Sequence, residues 1–150
     1  MAAERIIRVM LMGTFDPLHD GHRHFFAEAR KSGTELYVGV MPDSFIRNLK
    51  GREPMYCEQK RLEAVLHEPN VGHAFIVPEN EEEEISKIVG LKPDIYYFGS
   101  ATYNHPWNTR LQAILMAHLP AIEFRVIDAY DRSRLNSTRL RQALEKKGTK

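Results

Sequence analysis

The chain has 150 residues, 43% of them hydrophobic, and is nearly neutral, with 21 Lys/Arg against 20 Asp/Glu. Those figures fit a single soluble domain over 1–150 whose core needs no disulfide or metal staple, and the lone Cys57 reads as an ordinary free thiol suited to a reducing, cytoplasmic setting. The opening MAAERIIRVM has no long apolar run and no stretch approaches the roughly 18 apolar residues of a membrane span, so neither secretion nor membrane insertion is expected.

Ile6 to Met12 reads as a mostly buried strand ended by Gly13. A loop and a helix from about Gly21 to Ser32 follow, and Leu36 to Val40 gives a second strand. Beyond a Pro42-Asp43 turn and a short helical segment, Leu62, Val65 and Leu66 share one face of a helix over 56–67. Ala74 to Val77 is a third strand, Ile85, Ile88 and Val89 repeat a helical spacing, and Ile95 to Phe98 is a fourth strand stopped by Gly99. Leu111, Ile114, Leu115 and Leu119 mark another helix, Glu123 to Ile127 a fifth strand, and Ser137 to Lys147 a last helix. Short strands alternating with helices predict right-handed βαβ units: an α/β, doubly wound (Rossmann-like) five-stranded parallel sheet with helices on both faces. Ligands of such sheets bind beyond the carboxyl ends of the strands, where the winding reverses, which singles out the loops after Met12, Val40, Phe98 and Ile127.

The first of these loops runs from Gly13 through Thr14, Phe15, Asp16 and His19 to Gly21 and His22. Gly13 ends the strand, and Gly21 allows close approach to the first amides of the next helix, whose positive dipole end favours an anion. His22, Arg23 and His24 fall in the first helical turn, where cations oppose the dipole and make sense if an anion sits among them. The three histidines with Asp16 or Asp20 also offer metal ligands. His22 and His24 are two positions apart and face different ways, so at most His19, His22 and a carboxylate could converge, and no metal site is expected.

Charge is unevenly spread along the chain. Residues 130–150 hold seven Lys/Arg against two Asp/Glu, while residues 1–129 hold 14 against 18. This is too small for a nucleic-acid footprint and lacks the aromatic interleaving of a single-strand binder, so a compact anion such as a nucleotide fits better. Asn136, Ser137 and Thr138 are hydroxyl and amide cap candidates for the last helix, and Arg139 again loads a helix N-terminus with a cation. Tyr103, His105 and Trp107 could stack on a ring or simply pack at a helix start.

The segment from Gly13 to His22, with His19-Asp20-Gly21-His22 as its core, resembles the G-[TS]-F-D-x-x-H-x-G-H signature of a nucleotidyltransferase superfamily. That superfamily includes cytidylyltransferases, phosphopantetheine and heptose-phosphate adenylyltransferases and archaeal FAD synthases. Leu135 to Arg141 is similar to its second signature but has Asn136 where Ser is usual. Lys50-Gly51-Arg52-Glu53-Pro54, Arg61-Leu62 and Lys92-Pro93-Asp94-Ile95 recur in order as in the FAD-synthase and heptose-phosphate branches. The resemblance implies transfer of NMP from an NTP to a small phosphorylated acceptor with release of pyrophosphate, with Mg²⁺ carried on the NTP. It implies His19, His22 and Lys50 as catalytic residues. Gly13, Thr14, Phe15, Gly21, Gly99, Asn136, Ser137, Thr138 and Arg139 would bind the nucleotide. Asp16 is a possible water-mediated partner of the magnesium or simply a turn residue, and a homodimer is possible.

Glycerol-phosphate cytidylyltransferases have His-Asp-Trp after the glycine that Gly99 matches, whereas this chain has Ser100-Ala101-Thr102, so ATP is slightly preferred over CTP. Two alternatives stay open. One is a catalytically inactive nucleotide-binding sensor or regulatory protein, favoured by Asn136 and the Ser100 loop. The other is a metal-dependent hydrolase using His19, His22 and Asp16.

Overall fold

The computed structural model describes residues 5–128. The expected last helix and the candidates Asn136, Ser137, Thr138 and Arg139 lie outside the described residues. In chain order the elements are β1 (Arg8–Gly13), α1 (Asp20–Arg30), β2 (Glu35–Val40), α2 (Asp43–Lys50), α3 (Glu58–Leu66), β3 (His73–Ile76), α4 (Glu81–Leu91), β4 (Ile95–Gly99), α5 (Pro106–His118) and β5 (Glu123–Ile127). All strand pairs are parallel, and the sheet order is β3-β2-β1-β4-β5.

The alternation of side chains along the strands divides the core in two. Val9, Leu11, Ile95 and Tyr97 point to one face and pack with Phe26 and Ala29 of α1 and Val65 of α3. Met10, Tyr96 and Phe98 point to the other, against Ile88 of α4 and Leu111 and Leu115 of α5. Both faces are covered, which is why these strands read as unbroken apolar runs. The chain winds from β1 outward to β3 over one face. It then crosses back through α4 to β4 over the other, leaving the reversal between β1 and β4. Gly39 on β2 is needed for packing, because a Cβ there would come within 2.8 Å of Met12 and 2.9 Å of Val77.

Two of the boundaries that move from the sequence expectation do so for visible reasons. β1 begins at Arg8, since Ile6 is 54% exposed. α3 begins at Glu58 because Met55 and Tyr56 give their backbone N–H groups to Asp16 instead of entering the helix. No helix among the described residues is long and apolar enough to cross a membrane.

Candidate active site

Above the carboxyl ends of β1, β2 and β4 lies a cleft of about 620 Å³. Gly13, Thr14, Phe15 and His22 line it from the first loop and α1, Met41, Phe45, Leu49 and Lys50 from α2 and the turn before it, and Gly99 and Thr102 from the loop after β4. The opposite wall comes from Glu79, Glu81, Glu84 and Ile85 around the start of α4, with Trp107, Arg110, Leu111 and Ile114 of α5. Three of the four loops singled out from the sequence therefore meet here, and the fourth begins at Asp128, the last described residue.

The first loop is built by reciprocal hydrogen bonds. His19 is the N-cap of α1 and its Nδ1 accepts from the Gly21 N–H at 3.0 Å, while His22 Nδ1 accepts from the His19 N–H at 3.2 Å. The H-x-G-H spacing thus works as a capping box in which two imidazoles replace the usual hydroxyl and carboxylate. Their rings stack at 3.8 Å. The ring of Phe15 meets His22 edge-on at 5.0 Å. Phe15 takes φ 51°, and its ring folds back over Gly13, where a Cβ would lie 2.8 Å from the ring.

This geometry corrects the sequence reading of His22 as a cation opposing the dipole. A ring nitrogen that accepts from N–H carries no proton, so both imidazoles are neutral. Burial holds His22 well below the ordinary imidazole value, with His19, Lys50 and Arg23 adding to the effect. Burial also lowers His19, opposed by Asp20 and aided by Arg23. The first-turn cation Arg23 is paired with Glu68 at 2.8 Å and Asp20 at 2.9 Å. Gly21 likewise has its N–H committed to His19.

Asp16 is fully buried and serves the scaffold. Its carboxylate accepts from Arg52 at 2.9 Å and from the N–H groups of Met55 and Tyr56, each at 2.8 Å. Burial alone would raise its pKa, but the Met55 N–H, the Arg52 guanidinium and the Tyr56 N–H outweigh it and hold the group below the usual carboxylate value. The possible magnesium role for Asp16 is therefore replaced by that of a clamp joining the first loop to the α2–α3 connection. Among the described residues no three His, Cys, Asp or Glu side chains gather in a way that could hold a metal ion, so the hydrolase constellation of His19, His22 and Asp16 is not assembled.

Arg61 is the site residue to which sequence reasoning gave no role. Its side chain is 1% exposed and donates to the carbonyls of Thr14 at 2.9 Å, Met41 at 2.7 Å and Tyr56 at 2.9 Å, and to Asp43 Oδ1 at 2.7 Å. It fixes the loop after β1 against the loop after β2, and hence His22 relative to Lys50. The available signal was a cation four residues before Val65 on the buried face of α3. Trp107 packs edge-on against Phe45 at 5.1 Å and so closes the cleft between α5 and α2, whereas Tyr103 is 45% exposed. Asp94 lies at the far end of the sheet, accepting from Arg5 and from the Arg8 N–H.

The family model described as cytidylyltransferase-like matches residues 10–143. The chain is 38% identical over 99 residues to the FAD synthase of Pyrococcus abyssi, covering 66% of each chain. It is 40% identical over 94 residues to the FAD synthase of Thermoplasma volcanium, covering 63% of this chain and 64% of the relative. The chain thus spans just under two thirds of the length of these relatives. Among solved structures it is similar to a lipopolysaccharide core biosynthesis protein from Thermoplasma volcanium, with TM-score 0.72 and 31% identity over 85% of this chain and 100% of that one.

Proposed function

We propose that this chain, which belongs to the cytidylyltransferase-like family, is a nucleotidyltransferase that moves AMP from ATP to the phosphate of flavin mononucleotide (FMN) and releases pyrophosphate. The observation that carries the reading is the neutral histidine pair at the start of α1. With both Nδ1 atoms committed as acceptors, each ring has its proton on Nε2 as a donor, and His22 borders the cleft. The acceptor is taken from the FAD synthases the chain is similar to.

A phosphate monoester has a second pKa near ~6, so it attacks at neutral pH without a general base. One of its oxygens bonds to the α-phosphorus of ATP, the bond from that phosphorus to the bridging oxygen breaks, and the electron pair leaves with pyrophosphate. The residues then have two tasks, holding the reactants in line and offsetting charge on the pentacoordinate phosphorus. His19 and His22 donate to the α- and β-phosphates, and Lys50, on the cleft wall at the end of α2, bridges the nucleotide and acceptor phosphates. Thr14, Gly13 and the backbone of Phe15 line the same side, and Gly99 lets the nucleotide lie close to β4. Ser137, Thr138 and Arg139 hold the β- and γ-phosphates and Asn136 also binds the nucleotide, as the second signature implies. Magnesium arrives as part of the nucleotide substrate, held by phosphate oxygens and water.

The test is pyrophosphate release with Mg²⁺, giving ATP and CTP each with FMN and with other phosphorylated acceptors. Release with ATP and FMN, accompanied by formation of FAD, is the expected result. Release only with CTP, or only with another acceptor, overturns the assignment of substrates. Nucleotide binding with no release for any acceptor replaces it with the sensor.

A further inference from the structure

The cleft is lined by His22, Lys50 and Arg110 as well as by Glu79, Glu81 and Glu84 around the start of α4. Glu81 is paired with Arg110 at 2.7 Å, and Glu79 is exposed. Glu84 is half-buried in the first turn of α4, and its carboxyl takes part in none of the hydrogen bonds or ion pairs among the described residues. Beside the cleft is a second hollow of about 170 Å³ between α2 and the β3–α4 connection, and Glu84 lines both. Burial, with Glu81 adding to it, pushes the Glu84 carboxyl up to about 7. A half-buried carboxyl without a partner at the junction of two hollows is poorly explained by stability and well explained by a ligand.

On the proposed function the phosphates of both substrates belong with His22 and Lys50, which leaves the rest of the cleft to the rings. Glu84 lines the second hollow with Phe45 and Leu49 of α2, and its carboxyl lies close enough to the buried Tyr96 of β4 to act on it. We infer that Glu84 sets acceptor specificity by hydrogen-bonding an imide edge, C(=O)–N(H)–C(=O), of a flat acceptor ring seated against Phe45, Leu49 and Ile85. The inference rests on the adenylyl-transfer reading above. A neutral carboxyl accepts the ring N–H through its carbonyl oxygen and donates its O–H to a ring carbonyl. A glutamine amide makes both bonds and alanine neither.

The test compares the intact chain with Glu84→Ala and Glu84→Gln, using FMN as the probe in steady-state kinetics and in a flavin-fluorescence titration without ATP. Losing a paired buried hydrogen bond is worth about tenfold in affinity. Glu84→Ala should raise both KM and Kd for FMN by about that factor, Glu84→Gln should stay within about threefold of the native chain, and KM for ATP should hold within about twofold. Unchanged FMN binding in Glu84→Ala, equal losses in both variants, or a rise in the ATP KM alone each overturns the inference while adenylyl transfer stands. If the native chain binds FMN but never releases pyrophosphate, the proposed function falls and the titration alone decides the role of Glu84. If the native chain does not bind FMN, both fall.

Discussion

An imidazole that accepts through Nδ1 can donate only through Nε2, and His19 and His22 both accept through Nδ1 from the backbone. The same two hydrogen bonds cap the helix and fix which nitrogen carries the proton. His19→Ala or His22→Ala should each cost about 1 kcal/mol of stability as a lost cap, and on the proposed mechanism lower kcat by about 10²-fold as a lost transition-state donor. Stopped-flow or steady-state turnover, corrected for the folded fraction from urea titration, separates the two effects. Full turnover in a folded variant would remove that histidine from the mechanism. The caps also make stability depend on pH. Both folded-state pKa values are lowered, so as pH falls through about 6.5 the unfolded chain takes up protons first. Their stabilisation is complete above that pH and is lost below it, levelling off once the folded imidazoles also protonate. The urea midpoint of the native chain should therefore fall between pH 7.5 and pH 5 by more than that of the His19→Ala/His22→Ala double variant, and equal falls would contradict the neutral cap.

Helices α2 and α4 end in the same left-handed conformation with different residues, Gly51 at φ 64° and Lys92 at φ 53°. The Gly51 N–H closes on the Arg47 carbonyl, and the Lys92 N–H on those of Ile88 and Val89. No atom lies within 4 Å of a Cβ placed on Gly51, so Gly51→Ala meets only the backbone penalty of about 1 kcal/mol. Lys92→Gly relieves the same penalty and should stabilise by a similar amount, since Lys92 is exposed. Thermal melts should shift by a few degrees in opposite directions, and a shift of the same sign in both would show that the cap conformation is not what sets their cost. At this scale the sequence was legible wherever the signal is local. The apolar runs of β1 and β4 mark strands covered on both faces, and Leu62 with Val65 marks a helix face. The segment 51–57 was not legible, because what shapes it is Asp16, about 40 residues earlier. Arg61 drew no role from the sequence, because its four acceptors lie in three segments that the fold brings together.

For the molecule as a whole, the reversal of winding between β1 and β4 puts the cleft where the alternation of strands and helices said it would be. What the sequence hid was that Glu84 lines that cleft, because it belongs to a run of four glutamates that reads as a solvated helix start. On the proposed function the one cleft holds both substrates at once. The proposed attack is direct, so no adenylylated form of the chain should arise and pyrophosphate should leave only after the acceptor has bound. Two results follow, namely intersecting double-reciprocal plots for ATP and FMN and no exchange of labelled pyrophosphate into ATP without FMN. Parallel plots with acceptor-independent exchange would indicate a covalent intermediate, and would move the nucleophile from the acceptor phosphate to a side chain lining the cleft.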